Sequence, residues 1–215
     1  MARDPEAIVS ELYHTAMTIP EPYSSLSGKQ KRLASKLVKR FDKAEAKHGP
    51  LPNGDILRPM LLSKNGQYTE ALELAKAQYD QNPTWNTAGA VANAARRLGD
   101  LDYAVQMFTV AAEHDPDDDT CFLDIGDTYL EQDRWAEALT AYETVLAKDS
   151  AHQWALPSAF YCRHQLGVPG PWLDSLTEIA NQEGCTCGLA DCLSQVFGGY
   201  TTDQGIARAQ QLVAR

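Results

Sequence analysis

The sequence predicts an all-α chain built from repeated helical hairpins, and two observations carry that prediction. The first is the stretch from Asp119 to Asp149, which reads as two amphipathic helices joined by a break at Gln132-Asp133-Arg134. Phe122, Ile125, Gly126 and Tyr129 share one face of the first helix, and Trp135, Ala138, Tyr142 and Val145 share one face of the second. The small residues Gly126 and Ala138 let two antiparallel backbones approach while the aromatic rings fill the sides. The second observation is recurrence. Gly99-Asp100, Ala104, Phe108, Ala111 and Pro116 repeat the second half of the pattern, and Gly66, Tyr68, Ala71 and Pro83 repeat it again. Ala71, Ala104 and Ala138 stand 33 and 34 residues apart, and Pro83 and Pro116 stand 33 apart. Hairpins repeated at such a period bury their apolar faces by stacking on their neighbours.

Taken in order, the chain begins with a helix over residues 4–17. Asp4 is a good N-cap, Pro5 suits the first helical position and Glu6 complements the helix dipole. Ile8, Leu12 and Met17 form its expected buried side, and Pro20, Pro22 and Ser24-Ser25 end it. A longer helix over 28–47 carries Leu33, Leu37, Val38, Phe41 and Ala44 on one face and crowds its remaining surface with bases. Gly49 to Gly54 punctuates the chain. Residues 55–64 form a first helix that Pro59 should shorten or kink. Its partner is expected over 68–81, followed by 85–98 and 101–114, the former rich in alanine and so closely packed. Residues 151–181 read as a worn fourth hairpin. Trp154, Ala159, Phe160 and Leu166-Gly167 supply its first helix, and Leu173, Leu176 and Ile179 its second, which starts at Pro171. Two short helices near 189–197 and 202–213 either cap the end or form a fifth, unrecognisable repeat.

The pattern of Phe122, Ile125-Gly126, Tyr129, Ala138 and Tyr142, with Ser150 where a closing proline is expected, resembles the tetratricopeptide repeat (TPR). The resemblance implies a right-handed helical-hairpin solenoid with extra N- and C-terminal helices. Its organisation would be an N-terminal helical extension over 1–50, an array over 51–183 and capping helices over 184–215. Repeats are expected at 52–84, 85–118 and 119–152, with a degenerate one at 153–183. It also implies a concave groove lined by the first helix of each repeat, which holds a partner peptide or helix. The residues so placed are Asn86, Gly89, Asn93, Arg96 and Arg97, then Thr120, Leu123, Asp124, Asp127, Leu130 and Glu131, then Trp154, Tyr161, His164 and Gln165. Some TPR co-chaperones clamp a C-terminal carboxylate with Lys, Asn and Arg. Asn93 matches one such position, but Gly89 stands where a base is wanted and Asp124 and Asp127 reverse the sign, so that clamp is not expected.

Charge narrows the partner. Residues 28–48 hold eight bases against two acids, a net +6 that leaves −16 for the rest of a chain whose total is −10. Such a balance argues against a general nucleic-acid binder. The basic helix reads as a solvated back or as a docking surface for something acidic; folding over the groove is a further option. Asp124, Asp127 and Glu131 recur at three and four residues and so share a helix face. They favour a basic partner segment whose apolar anchors Leu123, Leu130, Trp154 and Tyr161 would receive. The alternative is that these acids are a solvated face.

Other chemistry is sparse. Cys185, Cys187 and Cys192 form the only local cluster of metal-ligand type, but zinc needs four ligands and no histidine lies nearby in sequence. Cys162 and His164 are two apart on a helix and point to different sides. The acidic run from Asp115 to Asp119 lacks the glycine of a calcium loop, and Asp118 or Asp119 reads better as the next N-cap. No phosphate-cradling glycine loop, nucleophile elbow or HExxH is present, and the histidines are dispersed. The expectation is a non-enzymatic protein-interaction adaptor or scaffold with no cofactor. A dedicated inhibitor, immunity protein or secretion chaperone of one basic partner is the first alternative, and a metal- or redox-linked role for the cysteine tail is the second. No apolar run is long enough to span a membrane and the N-terminus lacks a signal-peptide pattern, so the chain reads as soluble and cytoplasmic. Five cysteines, an odd number, fit a reducing compartment.

Overall fold

A computed structural model describes residues 4–19, 25–152 and 154–172. The described residues form α-helices and connecting turns, with no strand among them. The chain divides into two compact units, 1–115 and 116–215. The second helix expected from Pro171, the capping helices and the Cys185, Cys187 and Cys192 cluster lie outside the described residues.

The first unit contains α1 (Pro5–Met17), α2 (Gly28–His48), α3 (Gly54–Lys64), α4 (Tyr68–Gln81), α5 (Trp85–Leu98) and α6 (Leu101–His114). Sequence sets most of the starts. The Asp4 carboxylate accepts from the Glu6 N–H at 3.3 Å. Ser27 and Gln30 form a capping box at α2, and Thr84 and Thr87 form one at α5. The Asp100 carboxylate caps α6 through the Tyr103 N–H. Each helix packs on the next, and α1 and α2 meet α3 in the same succession as α3 and α4 meet α5. Leu12, Ala16, Ile19, Leu37, Phe41, Leu57 and Leu61 make one buried cluster across α1, α2 and α3. The N-terminal pair is therefore part of the unit's core. Met17, expected inside, is 57% exposed, and Ala16 and Ile19 are buried instead. The reason is angular: Met17 lies five residues past Leu12, about 140° around the helix, whereas Ala16 lies four past it.

Pro59 is tolerated inside α3 and is itself buried. It sits within the first two turns, and α3 runs 11 residues against 14 for α4, α5 and α6. The basic helix α2 lies against α1 and α3. Its acids Asp42 and Glu45 reach Arg58 of α3 at 3.1 and 2.9 Å.

The second unit contains α7 (Thr120–Glu131), α8 (Trp135–Lys148) and α9 (Ala155–Gln165). Ala138, Tyr142, Val145, Ala155, Ala159 and Cys162 form its buried cluster, with Phe122, Leu123, Tyr129 and Leu130 packed against it. Gly126 does face α8, but the atoms nearest its missing side chain belong to Tyr142, where a Cβ would stand 2.6 Å from the ring. The notch admits an aromatic ring; the bare backbone of Ala138 is not what fills it. Asp119 stands at the start of α7 without a side-chain capping bond, because its carboxylate takes Lys148 of α8 at 2.8 Å. The Asp118 carboxylate accepts instead from the Thr120 N–H at 2.9 Å. Lys148 also donates to the Pro116 carbonyl at 2.9 Å, so one ammonium pins the acidic loop before α7.

The turns repeat more faithfully than the side chains. Gly66, Gly99, Asp133 and Gly167, spaced 33, 34 and 34 residues apart, all take positive φ, at 78°, 91°, 56° and 68°. Each is followed by the same backbone bond across the helix end: Gln67 N–H to Leu62, Asp100 to Ala95, Arg134 to Tyr129 and Val168 to Arg163, at 2.9–3.0 Å. This is the Schellman closure. The connection to the next hairpin repeats too, with Asn82, Asp115 and Asp149 at φ −146°, −142° and −132°.

Candidate functional site

In the first unit the first helices of successive pairs enclose a cleft of about 550 Å³. Val9 and Tyr13 of α1 and Ile56 and Met60 of α3 supply apolar wall, and Asn53 and Asn86 supply amides. Tyr13 is 46% exposed, a large apolar surface held open by its place on α1. Ser10 and His14 line the same cleft, and the His14 Nδ1 stands 2.7 Å from the Ser10 carbonyl. Glu6 adds one carboxylate. Apolar walls with a few amides suit an extended or helical peptide: the walls hold side chains and the amides pair with backbone.

Of the residues expected to face a groove, Asn86 lines this cleft. Asn93 is exposed and donates from its amide to the Gly89 carbonyl at 3.0 Å, while Arg96 is half-buried and Arg97 exposed. Sequence reasoning missed Val9 and Tyr13 because it placed α1 in an N-terminal extension, and Ile56 and Met60 because it read α3 as a helix shortened or kinked by Pro59 and gave it no groove residue. The signal was present in Val9 and Tyr13, which recur at four residues along a face of α1 next to the one that buries Leu12.

In the second unit Asp124, Asp127 and Glu131 are not equivalent. The Asp127 carboxylate accepts from the Tyr142 hydroxyl at 2.6 Å and is half-buried. Asp124 is half-buried beside Thr128, whose hydroxyl donates to the Asp124 carbonyl at 2.6 Å, while Glu131 is exposed. Leu123 and Leu130 pack on the unit's own core. Tyr161 meets the Trp135 ring edge-on at 5.6 Å, Trp154 is half-buried and His164 is exposed. Cys162 is fully buried, and desolvation, helped by the nearby Asp127 charge, pushes its thiol up to about 12. It is an inert core thiol rather than a nucleophile. Among the described residues no group of three or more His, Cys, Asp or Glu is placed to hold a metal ion.

Comparison with known proteins bears on the repeat. The tetratricopeptide repeat model matches residues 95–156, which span the end of α5 to the start of α9. Residues 95–156 carry the tetratricopeptide repeat pattern. A tetratricopeptide repeat protein from Parabacteroides merdae is similar at 13% identity over 98% of this chain and 79% of its own, with a TM-score of 0.60. The thermophilic TPR protein TTC0263 of Thermus thermophilus is similar at 13% identity over 99% of this chain and 100% of its own, with a TM-score of 0.64. YrrB, described as a TPR protein with an unusual peptide-binding site, is similar at 13% identity over 97% of this chain and 100% of its own, with a TM-score of 0.51. At such identity these likenesses establish the TPR fold alone. No curated protein matches the sequence.

Proposed function

We propose that this TPR chain is a non-catalytic protein-interaction module, an adaptor or scaffold, and that it holds a partner peptide or helix in the cleft of α1, α3 and α5. The observation that carries the reading is the cleft itself, with apolar walls from Val9, Tyr13, Ile56 and Met60 beside the amides of Asn53 and Asn86. The peptide-binding site in the description of YrrB supports a groove of this kind. The N-terminal helices then belong to the binding array, alongside the repeats at 52–84, 85–118, 119–152 and 153–183. A basic segment with apolar anchors is the favoured ligand, because Glu6 is the carboxylate that lines the cleft beside its apolar walls. The buried free thiols of Cys121 and Cys162 fit a reducing compartment such as the cytoplasm.

The experiment is capture from lysate with identification by mass spectrometry, followed by binding of the captured segment to Tyr13→Ala and Asn86→Ala. Each variant should bind about tenfold or more weakly while keeping the helical spectrum, as truncation of an anchor in a cleft does. Equal binding by both variants would place the partner elsewhere on the molecule.

A further inference from the structure

The outer face of α2 is a straight cationic stripe. Lys29, Arg32, Lys36, Lys39 and Lys43 alternate three and four residues apart, and Lys47 follows four later. At 3.6 residues per turn and 1.5 Å per residue they fall within an arc of about 80° and a length of about 27 Å. The buried side of the helix, Ala34, Leu37, Phe41 and Ala44, faces well away from them. All six cationic side chains are exposed.

What sets the stripe apart from an ordinary solvated face is its lack of compensation. The two acids of α2, Asp42 and Glu45, lie off the stripe and both engage Arg58 of α3. Glu11 of α1 reaches across to α2 but pairs with Arg40 at 2.9 Å, beside the stripe. Among the described residues none of the six cations takes part in an ion pair. A monomer gains nothing in fold from aligning like charges at three- and four-residue spacing, since such neighbours repel.

We infer that this face of α2 docks an acidic protein segment, a helix or strand bearing carboxylates at matching intervals. Charge complementarity fixes the class of partner, and geometry narrows it. The stripe is one helix wide and is flanked by the carboxylates of Asp42 and Glu11 in a chain whose remainder carries −16. A duplex or a bilayer presents a broad anionic surface and would press those carboxylates against phosphates. A single acidic helix meets the cations alone. The lysine-rich character agrees, since five ammonium groups and one guanidinium match spaced point charges better than they match the bidentate geometry of phosphate. This surface is distinct from the cleft of α1, α3 and α5, where the favoured ligand is basic, so the chain would bridge partners of opposite charge.

The test uses the full chain and a fluorescent synthetic helical peptide with Glu at alternating three- and four-residue spacing, next to its Glu-to-Gln counterpart. The Glu peptide should bind, and raising salt from low to above physiological strength should weaken it about tenfold, as expected for exposed charges within a Debye length. The Gln peptide should not bind. The triple variant Lys36→Glu, Lys39→Glu, Lys43→Glu should lose binding, as should the milder Lys36→Gln, Lys39→Gln, Lys43→Gln, which guards against a folding defect in the first. Tyr13→Ala should leave binding unchanged. Retained binding in the glutamine triple variant overturns the inference. So does absence of binding at low salt, or tighter binding of a uridine homopolymer or of phosphatidylserine vesicles than of the Glu peptide.

Discussion

At Gly126 two opposed effects meet, and their sizes decide the outcome. Alanine is the better helix former by about 1 kcal/mol. Its Cβ, however, would stand 2.6 and 2.7 Å from carbons of the Tyr142 ring, and that ring is fully buried with nowhere to retreat. Overpacking a filled core costs about 1–3 kcal/mol, so Gly126→Ala should be net destabilising, read as a lower midpoint in urea. The Tyr142 hydroxyl adds a second constraint through its 2.6 Å bond to Asp127. Tyr142→Phe should cost about 1.5–3 kcal/mol, the range for a hydrogen bond to a charged group. The same corner predicts a pH effect. Cys162 holds its proton up to about 12 when folded, against 9.0 ordinarily. Between those values the folded state binds more protons than the unfolded state, so the thiol's contribution to stability is complete below pH 9 and is lost as pH rises toward 12. Cys162→Ala should therefore flatten the alkaline limb of a stability–pH curve, and in native protein iodoacetamide at mildly alkaline pH should leave Cys162 unmodified by peptide mapping.

At the scale of the element, the turns explain why the repeat was legible. Glycine at 66, 99 and 167 occupies a left-handed position that other residues enter at a cost, so glycine recurs in sequence where the geometry recurs in space. Helices α4, α5 and α6 end where the sequence said because alanine, glycine and proline mark their faces and limits. Asp133 and Ser150 are the two places where the mark is missing but the conformation is kept: Asp133 has φ 56°, and Asp149, before Ser150, matches the residues before Pro83 and Pro116. Both should be improvable. Asp133→Gly should relieve part of the left-handed penalty, about 1 kcal/mol, and Ser150→Pro should add about 0.4–1 kcal/mol by restricting the unfolded chain. Melting temperatures of the two variants and of their combination check this, and the gains should add, because the turns lie at opposite ends of α8. The site was less legible. Asn86 was visible through its repeat position, whereas α1 carries neither the small-residue notch nor the turn glycine that announces a repeat, so its share of the cleft emerged only from packing. Asp127 marks a different limit. Helical periodicity gives the side of α7 on which a carboxylate sits but not the Tyr142 hydroxyl that claims it.

At the scale of the whole chain, the N-terminal pair both completes the core of its unit and walls the cleft, and a deletion would remove the two together. Sequence composition sets α2 apart as a +6 segment in a −10 chain and leaves open a packed helix with a solvated back, a docking surface or an arm over a groove. Packing sets it against α1 and α3. Phe41 reaches within 3.3 Å of where a Cβ of Gly54 would stand, Arg58 lies over the Phe41 ring, and Lys64 donates to the Ile19 carbonyl at 2.9 Å. Removing residues 1–48 would uncover Leu57 and Leu61, which are 4% and 1% exposed in the intact chain. Each buried leucine is worth about 1.5–3 kcal/mol, so their exposure alone is a large part of what a domain of this size can spare. The truncated chain should melt at a lower temperature than the full chain and bind a dye for exposed apolar surface, and any partner held in the α1, α3 and α5 cleft should be lost with it. A point variant that empties the interface without shortening the chain, Phe41→Ala, should reproduce the destabilisation at about 3–5 kcal/mol. If the truncated chain instead melts like the full one, α1 and α2 are an appendage, and the cleft they help to build is incidental to the fold.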